Sequence, residues 1–148
     1  MNDITPKGYI SALGLDIGRR RIGVAGCDGT GLIATGLTTI VRTHFEADLA
    51  QFQAIIQQRQ VQILVVGLPY LSNGELGTQA RQIQKYTRRL QKSLALPVEY
   101  FDERLTSIEA EEMLKGQKIP LSENKALIDR KAAALILQQW LDQRRHKS

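Results

Sequence analysis

A carboxylate set inside an apolar strand constrains this chain more than any other feature. Residues 12–18 read Ala-Leu-Gly-Leu-Asp-Ile-Gly, an apolar stretch short enough for a buried strand. Successive strand residues face opposite ways, so Leu13, Leu15 and Ile17 share one face, and Gly14, Asp16 and Gly18 the other. A charge in a central strand is costly unless it is paired or binds a cation. The glycines two residues either side clear space around Asp16. Two readings follow: an acid held for metal-dependent chemistry, or a turn-initiating Asp at a strand end.

The elements beyond it set the fold class. Ile22 to Cys27 reads as a second strand, close enough to the first for an antiparallel hairpin with Arg19-Arg20-Arg21 in the turn. Asp28-Gly29-Thr30-Gly31 is another turn, and Leu32 to Val41 reads as a third strand. His44 to Gln58 has helical spacing at Phe45, Leu49, Phe52 and Ile56. Val61 to Leu68, centred on Ile63-Leu64-Val65-Val66, reads as a central strand buried on both faces. Asn73-Gly74 marks a turn in the loop to Gly77. Thr78 is placed to cap a helix reaching about Leu94, with Ala80, Ile83, Leu90 and Leu94 on its apolar face. Val98 to Phe101 is a fifth strand. The capping box Thr106-Ser107-Ile108-Glu109 starts a helix that Gly116 stops. A last helix runs from about Ser122 to Arg145. The order βββαβαβαα predicts an α/β fold: a mixed five-stranded sheet, three antiparallel strands plus two parallel, with helices on both faces. At 148 residues and 43% hydrophobic content, one domain over residues 1–148 is expected.

The last helix supplies a second acid. Asp129, Ala132, Ala133, Ile136, Leu137 and Trp140 form one stripe at i, i+3, i+4, i+7, i+8 and i+11. Asp129 therefore lies on the face that packs on the sheet, where small alanines allow close approach; a structural salt bridge is its alternative reading. A third acid, Glu103, ends the fifth strand. The functional crevice of an open α/β sheet lies outside the carboxyl ends of its parallel strands, so Asp16, Glu103 and Asp129 can converge there. Strand alternation admits only one of Asp102 and Glu103, and the longer Glu103 is preferred. Clustered carboxylates repel unless a cation neutralises them. Hard oxygen donors without usable His or Cys favour Mg²⁺ or Mn²⁺ over zinc. A pair of such ions suits phosphodiester cleavage.

Charge points to the substrate. Net charge is +5, which favours an anionic partner, nucleic acid ahead of a membrane. Arg81, Lys85, Arg88 and Lys92 form a basic stripe opposite the apolar face of their helix. Arg19, Arg20 and Arg21 sit in the turn beside Asp16, and Arg104 follows Glu103. Such rows contact phosphates largely without sequence specificity; a solvated helix face is the plain alternative for the stripe. The loop from Gly67 to Gly77 leads into a helix N-terminus able to receive a phosphate, but it lacks the Gly-Lys-Ser/Thr ending of a P-loop. The single Cys27 precludes an intrachain disulfide and suits a reducing compartment. No stretch approaches the ~20 apolar residues of a membrane span, and residues 1–8 lack the apolar core of a signal peptide. A cytoplasmic protein is expected.

Taken together these residues resemble the YqgF (RuvX-like) family, bacterial pre-16S rRNA nucleases also described as Holliday-junction resolvases. The matching pieces are Gly14-Leu15-Asp16-Ile17-Gly18 with Arg21-Ile22-Gly23-Val24-Ala25; Gly67-Leu68-Pro69 with Gly74 and Gly77-Thr78-Gln79-Ala80; Asp102-Glu103-Arg104-Leu105-Thr106-Ser107; and Asp129-Arg130-Lys131-Ala132-Ala133-Ala134-Leu135-Ile136-Leu137. They span nearly the whole chain in order. Asn73 stands where the family often has Asp. The resemblance implies an RNase H-like fold, acidic site residues at Asp16, Glu103 and Asp129, and a role in maturing the 5′ end of 16S rRNA. A junction resolvase would be expected to act as a homodimer, since it must cut two strands symmetrically. Two other classes are weighed. A catalytically silent nucleic-acid-binding module would keep the basic stripe and need no metal. An actin-like phosphotransferase shares the Asp16-Ile17-Gly18 motif but needs two lobes, and 148 residues supply one.

Overall fold

The structure, a computed structural model, describes residues 9–102 and 125–147. The elements are β1 Ala12–Ile17, β2 Arg21–Cys27, β3 Ala34–Val41, α1 Phe45–Arg59, β4 Ile63–Leu68, α2 Thr78–Leu94, β5 Val98–Asp102 and α3 Lys125–Lys147. The strands form one sheet in the order β3-β2-β1-β4-β5, so β1 is central. β2 pairs antiparallel with both β1 and β3, whereas β4 pairs parallel with β1 and β5. This is the expected mixed sheet. The helix read from Thr106 to Gly116 lies outside the described residues, as does Ser122.

Several boundaries move for identifiable reasons. The third strand starts at Ala34 rather than Leu32, because the Leu32 and Ile33 N–H groups donate to the Asp28 carboxylate at 3.0 and 2.9 Å and so belong to the turn. β4 starts at Ile63 rather than Val61, because the Val61 N–H closes the end of α1 on the Ile56 carbonyl at 3.1 Å. Thr78 is not the cap of α2. Gly77 holds that position without a side-chain bond, and Thr78 is already helical and exposed. His44 caps α1, its Nδ1 accepting the Ala47 N–H at 3.3 Å. Gly74 takes φ +86° in the Asn73-Gly74 turn, a conformation open to glycine at no steric penalty.

The sheet is covered on both faces. Leu13, Leu15 and Ile17 pack with Phe52 of α1 and with Ile83 and Leu90 of α2. Ala12, Ala25 and Val65 pack with Ala133, Ile136, Leu137 and Trp140 of α3. Gly14 confirms the alternation expected along β1: a Cβ there would lie 2.7 Å from the Leu137 Cβ and 2.8 Å from the Ala133 carbonyl oxygen. Asp16, two residues on, faces α3 as well.

A bulge fixes where α3 starts its passage. Val24 pairs with Thr38 but Ala25 pairs with Gly36, so β3 carries one extra residue. That irregularity turns both Gly36 and Thr39 toward α3. The Thr39 hydroxyl donates to the Ala126 carbonyl at 2.7 Å, and the Arg130 Cβ lies 3.0 Å from where a Gly36 Cβ would stand. The turn of α3 carrying Asp129 is thereby laid over β2.

Candidate active site

Asp16 occupies the next-to-last position of the central strand and is half-buried. Antiparallel register sets it opposite Gly23. On the parallel side the pairing with β4 runs as far as Leu15–Val66, one residue short of Asp16. The acid thus has Gly23 opposite it on β2, in addition to Gly14 and Gly18 along its own strand. A Cβ on Gly23 would lie 1.9 Å from the Asp129 carbonyl oxygen. The backbone of Asp129 therefore rests directly on the residue paired with Asp16. Two acids far apart in sequence meet on one face, at the carboxyl end of the central strand.

Asp129 is not left unneutralised. Its Oδ2 accepts Nε–H of Arg21 at 2.6 Å, with the two side chains 17% and 32% exposed. Such a charge-assisted bond, shielded from most solvent, is worth more than an exposed pair. Arg21 is the first residue of β2 rather than part of the turn, and alternation puts it on the same face as Gly23. The salt bridge weighed for Asp129 exists, and its partner comes from the arginine run. Arg130 points elsewhere, its Nε–H donating to the Ala126 carbonyl at 3.3 Å.

The fit to a divalent cation can be judged from this donor set. Asp16 and Asp129 offer only carboxylate oxygens, hard donors that suit Mg²⁺ or Mn²⁺, and Asp129 already draws one positive group. Among the described residues, no three His, Cys, Asp or Glu side chains cluster to hold a metal. Glu103 and Arg104 lie outside them. Asp102 is described, and its parity is informative: Phe101 packs in the α3 cluster, so Asp102 belongs to the opposite face from Asp16.

The cations divide. Arg19 and Arg20 are the two exposed residues of the β1–β2 loop, which the Gly18 N–H closes on the Arg21 carbonyl at 2.9 Å. Arg81, Lys85, Arg88 and Lys92 are all exposed on α2. That helix covers the sheet face opposite α3, so the stripe does not share a face with Asp129.

A buried relay braces the same end of the sheet. Asp48 is buried and accepts the Thr43 N–H at 3.2 Å and the Tyr86 hydroxyl at 3.3 Å. The Arg42 guanidinium lies 4.3 Å over the Tyr86 ring and donates to the Gly18 carbonyl at 2.6 Å. Burial, reinforced by the Asp48 charge, pushes the Tyr86 phenol up to about 12. An unfolded tyrosine ionises near pH 10, so between roughly pH 10 and 12 the unfolded state binds fewer protons and stability falls as pH rises. The loss should total roughly 2–3 kcal/mol. Urea titrations across that range are expected to show it in the native protein and to lose that increment in Tyr86→Phe; equal pH slopes in the two would refute it.

This arrangement can be set beside known proteins. The sequence profile of the family described as "RuvX: Holliday junction resolvase" matches residues 10–143. The chain belongs to the RuvX family. A relative from Trichormus variabilis is 69% identical over 137 residues, covering 93% of this chain and 91% of the relative. One from Gloeothece citriformis is 65% identical over 136 residues, covering 92% and 90%. Both carry the name "Putative pre-16S rRNA nuclease". Among solved structures, Thermus thermophilus RuvC in complex with a Holliday junction substrate superposes with a TM-score of 0.59 at 14% identity, over 95% of this chain and 98% of that one. A second structure of Thermus thermophilus RuvC gives 0.54 at 14% identity, over 93% and 97%. These likenesses show the fold, which is RNase H-like as the resemblance implied. Within this RuvX-family chain, sequence reasoning missed the Arg21–Asp129 pair, the lateral glycine Gly23, and Arg42. Gly23 carried a legible signal, since it sits opposite Asp16 once a two-residue hairpin loop is assumed.

Proposed function

We propose that this chain is a metal-dependent nuclease that hydrolyses phosphodiester bonds, processing the 5′ end of pre-16S rRNA in the cytoplasm during ribosome assembly. The observation that carries the reading is the meeting of Asp16 and Asp129 over Gly23 at the carboxyl end of the central strand. The names of the relatives at 60–69% identity support RNA as substrate. Asp16 and Asp129 would hold a divalent cation, Mg²⁺ or Mn²⁺, with Glu103 as third acid; the parity that turns Asp102 away supports Glu103. The chemistry such a cation supplies when bound is Lewis-acid stabilisation of charge developing on the phosphate. Arg21 holds the Asp129 carboxylate in one orientation, and the missing side chain of Gly23 lets the Asp129 backbone settle beside the strand position paired with Asp16. Arg19 and Arg20 present positive charge at the same sheet end.

The family description favours a second reading, a Holliday-junction resolvase, which would have to act as a homodimer to cut two strands symmetrically. One experiment separates them. Purified protein is incubated with Mg²⁺ or Mn²⁺ and either a 5′-extended 16S rRNA precursor or a four-way DNA junction, product ends are mapped, and mass in solution is measured. Cleavage of the precursor near the mature 5′ end is expected. Symmetric cutting of the junction by a dimer, with the RNA untouched, would replace this reading with the second. Binding without cleavage of either would leave a non-catalytic module.

A further inference from the structure

A cleft of about 290 Å³ opens where the β1–β2 hairpin meets the start of α2, lined by Ile17, Gly18, Arg19, Arg42, Gln79, Gln82 and Ile83. It lies at the same sheet end as Asp16. Ile17 and Ile83 belong to the core of the α1 and α2 face, so the cleft is on the other side of the sheet from the two acids.

Its chemistry is that of an anion site. Two arginines and two side-chain amides line it, and among the described residues no carboxylate pairs with either arginine. Arg42 is pre-organised. One of its five N–H donors goes to the Gly18 carbonyl and its plane lies on Tyr86, which Asp48 holds in turn. A guanidinium fixed in this way keeps donors for a planar or tetrahedral oxyanion at low entropic cost, which a flexible ammonium would not. The bond to Gly18 also ties the group to the hairpin loop that begins two residues after Asp16.

We propose that this cleft is a phosphate site in which Arg42 and Arg19 hold a backbone phosphate of the nucleic-acid strand, neighbouring the phosphate that is cleaved. The proposal rests on the nuclease reading. The held phosphate is not the scissile one, because Asp16 faces α3 and the cleft faces α2. Gly18 is about 7 Å along the backbone from Asp16, at roughly 3.3 Å per residue, so a strand crossing the sheet end reaches both. Arg42 is a positioning residue here: it sets the register of the strand and touches no reacting atom.

The test is equilibrium binding of a structured precursor-rRNA fragment, with EDTA present so that nothing is cleaved, measured by fluorescence anisotropy over a range of salt. Arg42→Gln should bind about tenfold more weakly, as expected for one lost hydrogen-bonded charge contact. The slope of log affinity against log salt should become shallower by about 0.7–0.9. Arg42→Lys should keep the native slope while losing part of the affinity. Arg19→Gln, in an exposed turn where packing is untouched, should shallow the slope in the same way, giving a second measure should Arg42→Gln fold poorly by circular dichroism. Arg144→Gln, at the opposite end of the sheet, should behave as the native protein. A folded Arg42→Gln and an Arg19→Gln that both keep the native slope would overturn the phosphate site while leaving the nuclease reading intact. Failure of the native protein to bind the RNA at all would overturn both.

Discussion

Asp16→Asn is expected to abolish phosphodiester cleavage, lowering the rate by at least about a thousandfold. The substitution keeps side-chain size and one acceptor oxygen but removes the formal charge. A carboxylate that holds a divalent cation contributes several kcal/mol of transition-state stabilisation through it, and each 1.36 kcal/mol is about tenfold in rate. RNA affinity measured without divalent ions should stay within about threefold of native, because phosphate contacts come from cations elsewhere. Single-turnover cleavage of the rRNA precursor, run beside anisotropy in EDTA, separates the two quantities. Cleavage within tenfold of native would remove Asp16 from the site. Loss of binding in parallel with cleavage would mean that the variant perturbs the sheet end rather than the chemistry.

The sheet was legible because its signals are local. The alternation around Asp16, the continuous run Ile63 to Val66 and the helical stripes each specify an element and its buried face, and the element order then leaves few topologies. Strand boundaries were less so. Leu32 and Ile33 have ideal strand character, yet the Asp28 carboxylate, four and five residues back, claims their N–H groups, and propensity carries no information about that competition. The site was legible in part. Asp129 stands out because a carboxylate on an apolar helix stripe needs a reason. Arg21 did not, because its partner depends on where α3 crosses the sheet. That crossing is set by the β3 bulge and by Gly23 and Gly36, which are long-range facts. Arg42 was invisible for the same reason: a lone arginine after a strand acquires meaning only when Tyr86 and Gly18 arrive from other elements.

Gly23 is where fold and site depend on the same missing atom, and Gly23→Ala is expected to damage both. Replacing glycine by alanine in a strand interior would by itself favour folding by roughly 0.5–1 kcal/mol. Sterics outweigh this. The new Cβ would stand 1.9 Å from the carbonyl oxygen and 2.4 Å from the carbonyl carbon of Asp129, both backbone atoms of a helix. Relief requires α3 to lift by more than an ångström at a point where it is also tied down by Thr39. That strains the contacts of Ala132, Ala133, Ile136 and Leu137, all buried against the sheet. Overpacking of a core costs typically 1–3 kcal/mol and more where backbone must move. A loss of about 3 kcal/mol is expected, a fall in melting temperature of roughly 10 °C for a chain of this size. Lifting α3 also carries Asp129 away from Asp16, so cleavage should fall even at temperatures where the variant is folded. Gly74→Ala is the fitting comparison. Its φ of +86° is unfavourable for alanine but nothing lies within 4 Å. It should cost about 1 kcal/mol and leave cleavage unchanged. Thermal melts and precursor-RNA cleavage of both variants read the contrast. Equal melting temperatures for the two would mean that the helix yields freely over Gly23, and that the approach of Asp129 to Asp16 is not fixed by this contact.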